Sequence, residues 1–176
     1  MNGDERRMKR YWLVKSEPSV YSFDRLVEEK RTVWDGIRSY EARNNLREMA
    51  KGDLLLFYHS NEGKAVVGVA SVARAAYPDP TDDAWSVIDV EAVGRLKEPV
   101  TLTAIKAHPK LKEMAVAKKS RLSVTPVLPE EYERVVAEGG GLVPAKRPRA
   151  EARGQAGAGR TKPAPKPGGP RRATGR

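Results

Sequence analysis

The chain has 176 residues, no cysteine, two histidines and a formal net charge of +10. The lack of cysteine excludes disulfides and thiolate zinc sites, and His59 and His108 have no helical ligand spacing, so we expect no metal and no cofactor. No apolar run approaches the ~20 residues of a membrane span. The charged opening MNGDERRMKR also lacks the apolar core of a signal peptide, so the sequence predicts a soluble protein of a reducing compartment.

The positive charge is concentrated at the carboxyl end. Residues 144–176 contain ten Lys and Arg and one acid, Glu151, for a net charge of +9, which leaves +1 for the remaining 143 residues. This tail has no aromatic residue and no Ile, Leu, Val or Met, so it cannot bury enough apolar surface to offset its ordering entropy. We predict disordered segments at 1–10 and 144–176 and one folded domain at 11–143. The tail is interpreted as an arm that binds nucleic-acid phosphates without sequence preference, or as a purely solubilising segment.

The domain at 11–143 is predicted to contain five to six strands and several short helices. In chain order, strands are expected at 11–15, 31–34, 53–59, 65–74, 85–96 and 121–127, and helices at 22–30, 39–52 and 129–139. The stretch 101–114 is expected to form one or two short helices with a break at Pro109. Ser22 is expected to cap the first helix, and Gly52 to close the second. The almost continuous apolar run DLLLFYH predicts a central strand that is buried on both faces. The Pro- and Asp-rich stretch at 75–84 is expected to be a loop.

The order of these elements defines the fold class. Three consecutive strands follow two strand–helix pairs, which differs from the regular alternation of a doubly wound sheet, and no Gly-rich phosphate loop follows the first strand. Clustered strands with peripheral helices predict a small, partly closed barrel of the α+β class.

The sequence gives no positive support for a catalytic site. His59 and Ser60 are adjacent, so their side chains would point to opposite faces of a strand, and no G-x-S-x-G elbow is present. The carboxylate pair Asp82-Asp83 lies in the predicted loop, where a solvated turn explains it. We therefore predict that the protein is not an enzyme.

The stretch VWDGIRSYEARNNL has the residue types of a binding site for a planar ring. Trp34 offers a flat aromatic face, Asp35 a hydrogen-bond acceptor, and Gly36 a close approach of backbone. Stacking on an aromatic face contributes ~1–3 kcal/mol per base. The same reasoning adds Lys15 and Ser16, which offer donors and a hydroxyl at a strand end, and Tyr58 and His59, where the apolar strand leaves the core. A groove for flanking phosphates would be formed by Arg38, Tyr40, Arg43 and Asn44.

Simpler interpretations of the same residues stay open. Trp34 is the residue type that most often packs in a core. Arg43 is also suited to a helix surface, paired with Glu41 or Glu48. The consecutive Asn44 and Asn45 are locally unfavourable in a helix interior, which favours a purpose beyond helix formation.

Four motifs resemble, in order, those of the EVE domain family: YWLVKSEPSVYSFDRL, VWDGIRSYEARNNLREMAKGDLLLFYHSN, VVGVASVARAAYPDPT and RLSVTPV. The resemblance runs from about Tyr11 to Gly139. It implies a PUA-like fold, a small pseudo-barrel of five to six strands flanked by short helices. It also implies kinship with the YTH domain, which holds 6-methyladenine of RNA in an aromatic cage.

The resemblance also implies roles for individual residues. Lys15 and Ser16 would line a base pocket, Trp34 would be a cage tryptophan, and Asp35 would contact the base edge. A second wall and the closure of the pocket would come from Tyr58, His59, Ser60, Arg121 and Ser123. Family members often read RNYQARN where this chain has RSYEARN, so Ser39 and Glu41 are departures, and Ser39 remains a good helix N-cap.

These features together predict a non-enzymatic nucleic-acid-binding module that reads a modified base. By the resemblance, that base is a modified cytosine in DNA or a modified RNA base. The alternatives are a small-molecule or nucleotide-binding regulator that uses the same pocket, and an accessory subunit of a nucleic-acid-processing enzyme. The predicted location is the cytoplasm, in association with the nucleoid, for a bacterial protein and the nucleus for a eukaryotic one. No membrane partner is expected.

Overall fold

The computed structural model describes residues 8–145. The disorder predicted for residues 1–10 and 144–176 falls mostly outside the described residues, but Pro144 lies in a strand. Within residues 8–145 there are seven strands: β1 (Tyr11–Ser16), β2 (Arg31–Trp34), β3 (Leu54–His59), β4 (Ala65–Asp79), β5 (Asp82–Thr101), β6 (Val124–Val127) and β7 (Leu142–Pro144). The helices of the same range are α1 (Phe23–Glu29), α2 (Tyr40–Glu48), α3 (Leu102–Ala107), α4 (Ala115–Lys118) and α5 (Pro129–Glu138).

One mixed sheet organises the domain. Its strand order is β2-β5-β4-β3-β1-β6, and β7 pairs with β5. The pairing of β1 with β3 is parallel, whereas the other strand pairs are antiparallel. The α+β class with short helices beside a small sheet is therefore confirmed. The sheet is open and has seven strands in the described range, where five to six were predicted.

Two hydrophobic clusters cover the two faces of the sheet. The first contains Trp12, Val14, Phe57 and residues of α1 and α2, and the second contains Leu13, Leu56 and residues of α3 and α5. Consecutive residues of β1 and β3 alternate between the clusters, as the two-residue period of a strand requires. The predicted central strand is thus confirmed, because β3 is buried on both faces.

The N-caps of α1 and α2 are the two serines that were expected from the sequence. Ser22 accepts a hydrogen bond from the amide of Arg25, and Ser39 accepts one from the amide of Ala42. Helix α2 was predicted to extend to Gly52, but it ends at Glu48. The buried carboxylate of Asp53 explains the early end, because it accepts the amide of Ala50 at 3.0 Å.

The stretch at 75–84 is not a loop. It forms the tip of the β4–β5 hairpin, in which Tyr77 pairs with Val87 and Pro78 with Ser86. At the tip, the carboxylate of Asp79 accepts the amide and the hydroxyl of Thr81, each at 2.8 Å. Such an Asx-type turn reverses the chain locally, so the strands run on to the turn. Register shifts along the hairpin accommodate the irregular sequence.

Among the described residues, no helix is both long and apolar enough to cross a membrane. The same part of the chain holds no group of three or more His, Asp or Glu side chains placed to bind a metal ion.

Candidate functional site

Five of the predicted pocket residues meet at the carboxyl ends of β1 and β3. The parallel register places Lys15 beside Tyr58 and Ser16 beside His59. The next residue, Ser60, donates its amide to the carbonyl of Ser16 at 2.9 Å. Parallel pairing is the cause, because it brings the ends of two strands that are distant in sequence to the same edge of the sheet.

The side chains of these residues nevertheless lie on opposite faces of the sheet. Lys15 and Tyr58 are on the side of the second cluster, where the Lys15 ammonium is 5.8 Å from the Tyr58 ring centroid. Lys15 Nζ also donates to the carbonyl of Ser120 at 2.8 Å. Burial lowers the pKa of Lys15 and raises the pKa of Tyr58.

Ser16 and His59 face the first cluster. Ser16 Oγ donates to the carbonyl of Tyr21 at 2.6 Å, and His59 Nε2 accepts the amide of Phe23 at 3.1 Å. Burial lowers the pKa of His59, although Asp24 and Glu62 act in the opposite direction. Both side chains therefore hold the connection between β1 and α1. They face away from Lys15 and Tyr58, which lie on the side of the second cluster.

Trp34 is completely buried, with 0% of its surface exposed. Its ring packs edge-to-face against Phe57 and Tyr21, at centroid distances of 5.6 and 6.2 Å. The prediction that Trp34 is an open stacking platform is therefore wrong for this structure. The alternation of β2 points the indole into the first cluster, where the simpler interpretation as a core residue applies. Its Nε1 is buried with no hydrogen-bond partner among the described residues.

Asp35 and Gly36 form the bend that follows β2, and both are partly exposed. Gly36 has φ of 81°, in the left-handed region that favours glycine. The glycine of this motif is thus explained by the backbone conformation of the bend.

The two residues predicted to close the pocket lie on the segment before β6. The carbonyl of Ser123 accepts the amide of Lys15 at 3.0 Å, which ties this segment to β1. Arg121 is exposed and lines an open cleft of about 400 Å³. The other residues of the cleft are Ser39, Glu41, Lys119, Ser120 and Leu122.

Three of the four predicted groove residues come together at the start of α2. Tyr40 is 67% exposed, and its ring stacks on Trp85 with centroids 5.3 Å apart and planes inclined by 18°. The Arg43 guanidinium lies 4.9 Å from the Tyr40 centroid and 5.6 Å from that of Trp85, and Arg38 lies 5.4 Å from Trp85. We call Arg38, Tyr40, Arg43 and Trp85 the Tyr40–Trp85 surface. The fourth predicted residue, Asn44, is exposed beside it and accepts Arg43 Nη2 at 3.4 Å.

The arginines of this surface are held by the hairpin tip. Arg38 Nη2 lies 3.5 Å from the carboxylate of Asp79, which is only 4% exposed. Burial alone would raise the pKa of Asp79, but hydrogen bonds from Thr81 and the charge of Arg38 together lower it. Arg43 Nη1 donates to the carbonyl of Ala84 at 3.0 Å. The guanidinium groups are thereby fixed beside the two rings, which is the arrangement of a cation–π cluster.

Trp85 is the member of this surface that the sequence did not indicate. Its ring partner lies 45 positions earlier in the chain, in α2. The available signal was a tryptophan next to a turn-forming run, PDPTDDA, where few apolar neighbours exist to bury it. The expectation of a loop at 75–84 concealed its place near the tip of a hairpin.

A family model described as the EVE domain matches residues 10–138. The chain belongs to the EVE domain family, as the four motifs predicted. Thymocyte nuclear protein 1 of Mus musculus is 32% identical, and the match covers 75% of this chain and 74% of that protein.

Solved structures share the fold. Rpa0253 from Rhodopseudomonas palustris is 49% identical and covers 74% of this chain and 93% of its own, with a TM-score of 0.72. Human THYN1 protein, solved in complex with 5-methylcytosine containing DNA, is 30% identical and covers 80% of this chain and 100% of its own, with a TM-score of 0.71. The YTH domain of Zygosaccharomyces rouxii MRB1 protein is 12% identical over 77% of this chain and 90% of its own, with a TM-score of 0.50, which shows a shared fold.

Proposed function

We propose that this chain is a nucleic-acid-binding module that reads a modified base, and that the Tyr40–Trp85 surface contacts the base. The observation that carries the proposal is the exposed ring of Tyr40, stacked on the partly exposed ring of Trp85 and flanked by two guanidinium groups. Flat aromatic faces bind unpaired bases by stacking, and arginines bind phosphates and also stack. The relative solved with 5-methylcytosine containing DNA supports the class of ligand.

Modified cytosine in DNA is the ligand that we propose first. A methyl group enlarges the apolar surface of a pyrimidine, so a base stacked on Tyr40 gains contact when it is methylated. Asn44 and the arginines lie at the rim of the rings, where they can hydrogen-bond to the base edge or to phosphates. The base must leave the double helix, or come from a single strand, to reach the rings.

We propose binding without catalysis. The one titratable group next to a hydroxyl that the sequence singled out, His59, uses its Nε2 to accept the amide of Phe23. That nitrogen is therefore engaged and does not serve Ser60 as a base. In this proposal, Lys15, Ser16 and His59 support the sheet edge, and the tail at 144–176 adds affinity for phosphates of any sequence.

The proposal is tested with Tyr40→Leu and Trp85→Leu, which keep apolar volume but remove the flat ring. We expect both variants to bind a 5-methylcytosine oligonucleotide about 5- to 150-fold more weakly than the wild type, because one stacking contact contributes ~1–3 kcal/mol. Fluorescence anisotropy with methylated and plain oligonucleotides measures affinity and selectivity together.

Tyr132→Leu is the matched control. Tyr132 stacks on Tyr11 with centroids 4.5 Å apart, so the substitution removes a stacked tyrosine outside the proposed surface. Its affinity should stay within twofold of the wild type. Equal losses in all three variants would refute the assignment of the surface.

A further inference from the structure

The open cleft beside Tyr40 is lined by charged residues of two separate segments. Ser39 and Glu41, on one wall, flank Tyr40 in the chain, and the other wall is the segment 119–122. The cleft has a volume of about 400 Å³, and through Ser39 and Glu41 it adjoins the start of α2, where Tyr40 lies. A strand with one base on Tyr40 would bring its next phosphate to this cleft, because neighbouring nucleotides are only a few ångströms apart.

Both walls are anchored outside the cleft. Lys15 Nζ holds the carbonyl of Ser120 at 2.8 Å, and Asn45 Nδ2 holds the carbonyl of Val124 at 2.7 Å. The second bond joins α2 to β6, so the distance between the walls does not depend on contacts inside the cleft. The cleft therefore remains when a contact across it opens.

Among the described residues, one ion pair joins the two walls of the cleft. Lys119 Nζ lies 2.8 Å from Glu41 Oε2, and the two side chains are 54% and 56% exposed. Arg121, in the same cleft, is also exposed. An exposed ion pair of this kind adds little stability, so a phosphate that competes for Lys119 can displace Glu41.

We propose that the cleft is a second phosphate-binding site for the bound strand, and that Glu41 is the residue that restricts its use. Glu41 occupies Lys119 and repels phosphates until a strand is already held by its base. It thereby lowers the affinity for any polyanion and leaves base stacking as the condition for tight binding. This inference rests on the function proposed above and names the residue that sets its specificity.

A second ion pair provides the matched control. Glu113 and Lys118 lie 2.8 Å apart with exposures of 68% and 53%, close to those of the first pair. Glu113 precedes helix α4, Lys118 is its last residue, and neither lines the cleft. Glu113→Gln therefore removes the same charge as Glu41→Gln and frees a lysine of the same kind.

The experiment measures the affinity of an unmodified oligothymidylate for the full chain at several salt concentrations. We expect Glu41→Gln to bind about two- to fivefold more tightly than the wild type, since an exposed ion pair competes with the phosphate at that level. The plot of log affinity against log salt should steepen by about 0.7, the value for one more single-strand phosphate contact. Glu113→Gln should raise the affinity by less than half as much as Glu41→Gln does.

Lys119→Gln tests whether the increase in affinity caused by Glu41→Gln depends on Lys119. In the Lys119→Gln background, Glu41→Gln should give no further gain. A gain that persists in that background, or one that Glu113→Gln matches, overturns the cleft proposal. If Tyr40→Leu lowers the affinity but Glu41→Gln does not raise it, only the cleft proposal fails. If the wild type binds no nucleic acid, both proposals fail.

Discussion

Two tryptophans show how the surroundings of a side chain decide its role. Trp34 is fully buried between Phe57 and Tyr21, whereas Trp85 lies near the hairpin tip and stacks on the exposed Tyr40. The local sequence of Trp34, with an acid and a glycine after it, favoured a binding platform. The strand alternation of β2 nevertheless turns its indole inward. The tryptophan that we propose to contact a base is therefore the one whose sequence neighbourhood is less distinctive.

Replacement of Trp34 should act on stability. We expect Trp34→Ala to lower the free energy of unfolding by about 3–5 kcal/mol, because it leaves a large cavity in the first cluster. Trp85→Ala should cost no more than about 1.5 kcal/mol, the scale of one aromatic pair. Urea unfolding followed by circular dichroism measures both values. If Trp34→Ala unfolds at the same urea concentration as the wild type, the indole is not a core residue.

The pKa of His59 predicts a pH dependence of stability. Burial lowers this pKa from 6.5 in the folded protein. The unfolded chain thus takes up a proton as the pH falls through about 6.5, while the folded chain resists it. The free energy of unfolding should be level above that pH and decrease below it, until the folded pKa is reached.

His59→Gln provides the comparison, since its amide oxygen can also accept the Phe23 amide. Urea unfolding between about pH 7.5 and 5.5 should show a smaller decrease in the variant than in the wild type. Equal slopes would mean that His59 titrates alike in the folded and unfolded chains.

At the scale of elements, the apolar patterns predicted the order of strands and helices from β1 to α5. Short caps such as Ser22 and Ser39 were also predictable, because a hydroxyl before an amphipathic run has one dominant use. The hairpin tip was not, since proline and aspartate are typical of loops and the partner strand supplies the pairing. The Tyr40–Trp85 contact depends on that pairing and on the placement of α2, so it could not be derived from local patterns.

The close packing of β4 against α1 gives a prediction at this scale. A Cβ at Gly68 would lie 2.6 Å from the Phe23 ring and 2.9 Å from the carbonyl oxygen of Gly94. Gly68→Ala should therefore destabilise the protein by about 1–3 kcal/mol, the usual cost of overpacking. Ser71→Ala, three positions later on the same strand, is the control and should change stability by less than about 1 kcal/mol. A thermal unfolding series would contradict this packing if both variants matched the wild type.

At the scale of the whole molecule, we propose that net charge and base recognition reside in different parts of the chain. The residues before the tail carry a net charge of only +1, so the domain cannot rely on a general field to attract nucleic acid. In our account, fixed rings and guanidinium groups select the ligand, and the net charge of +9 at 144–176 adds affinity without selectivity.

Removal of residues 146–176, which leaves β7 intact, tests this division. We expect affinity for methylated and plain oligonucleotides to fall by the same factor, with a shallower dependence on salt, because fewer counterions are released. Anisotropy titrations at several salt concentrations measure both effects. A truncated chain that loses its preference for the methylated oligonucleotide would show that the tail contributes to selection.

The most direct test uses the indole N–H signals of the three tryptophans, Trp12, Trp34 and Trp85. Each signal is assigned by a Trp→Phe variant, and a nitrogen-15 labelled sample is titrated with a 5-methylcytosine oligonucleotide. We predict that the Trp85 signal shifts with saturation, while those of Trp12 and Trp34 stay in place. A titration in which Trp34 shifts and Trp85 does not would contradict the account and place the base inside the sheet.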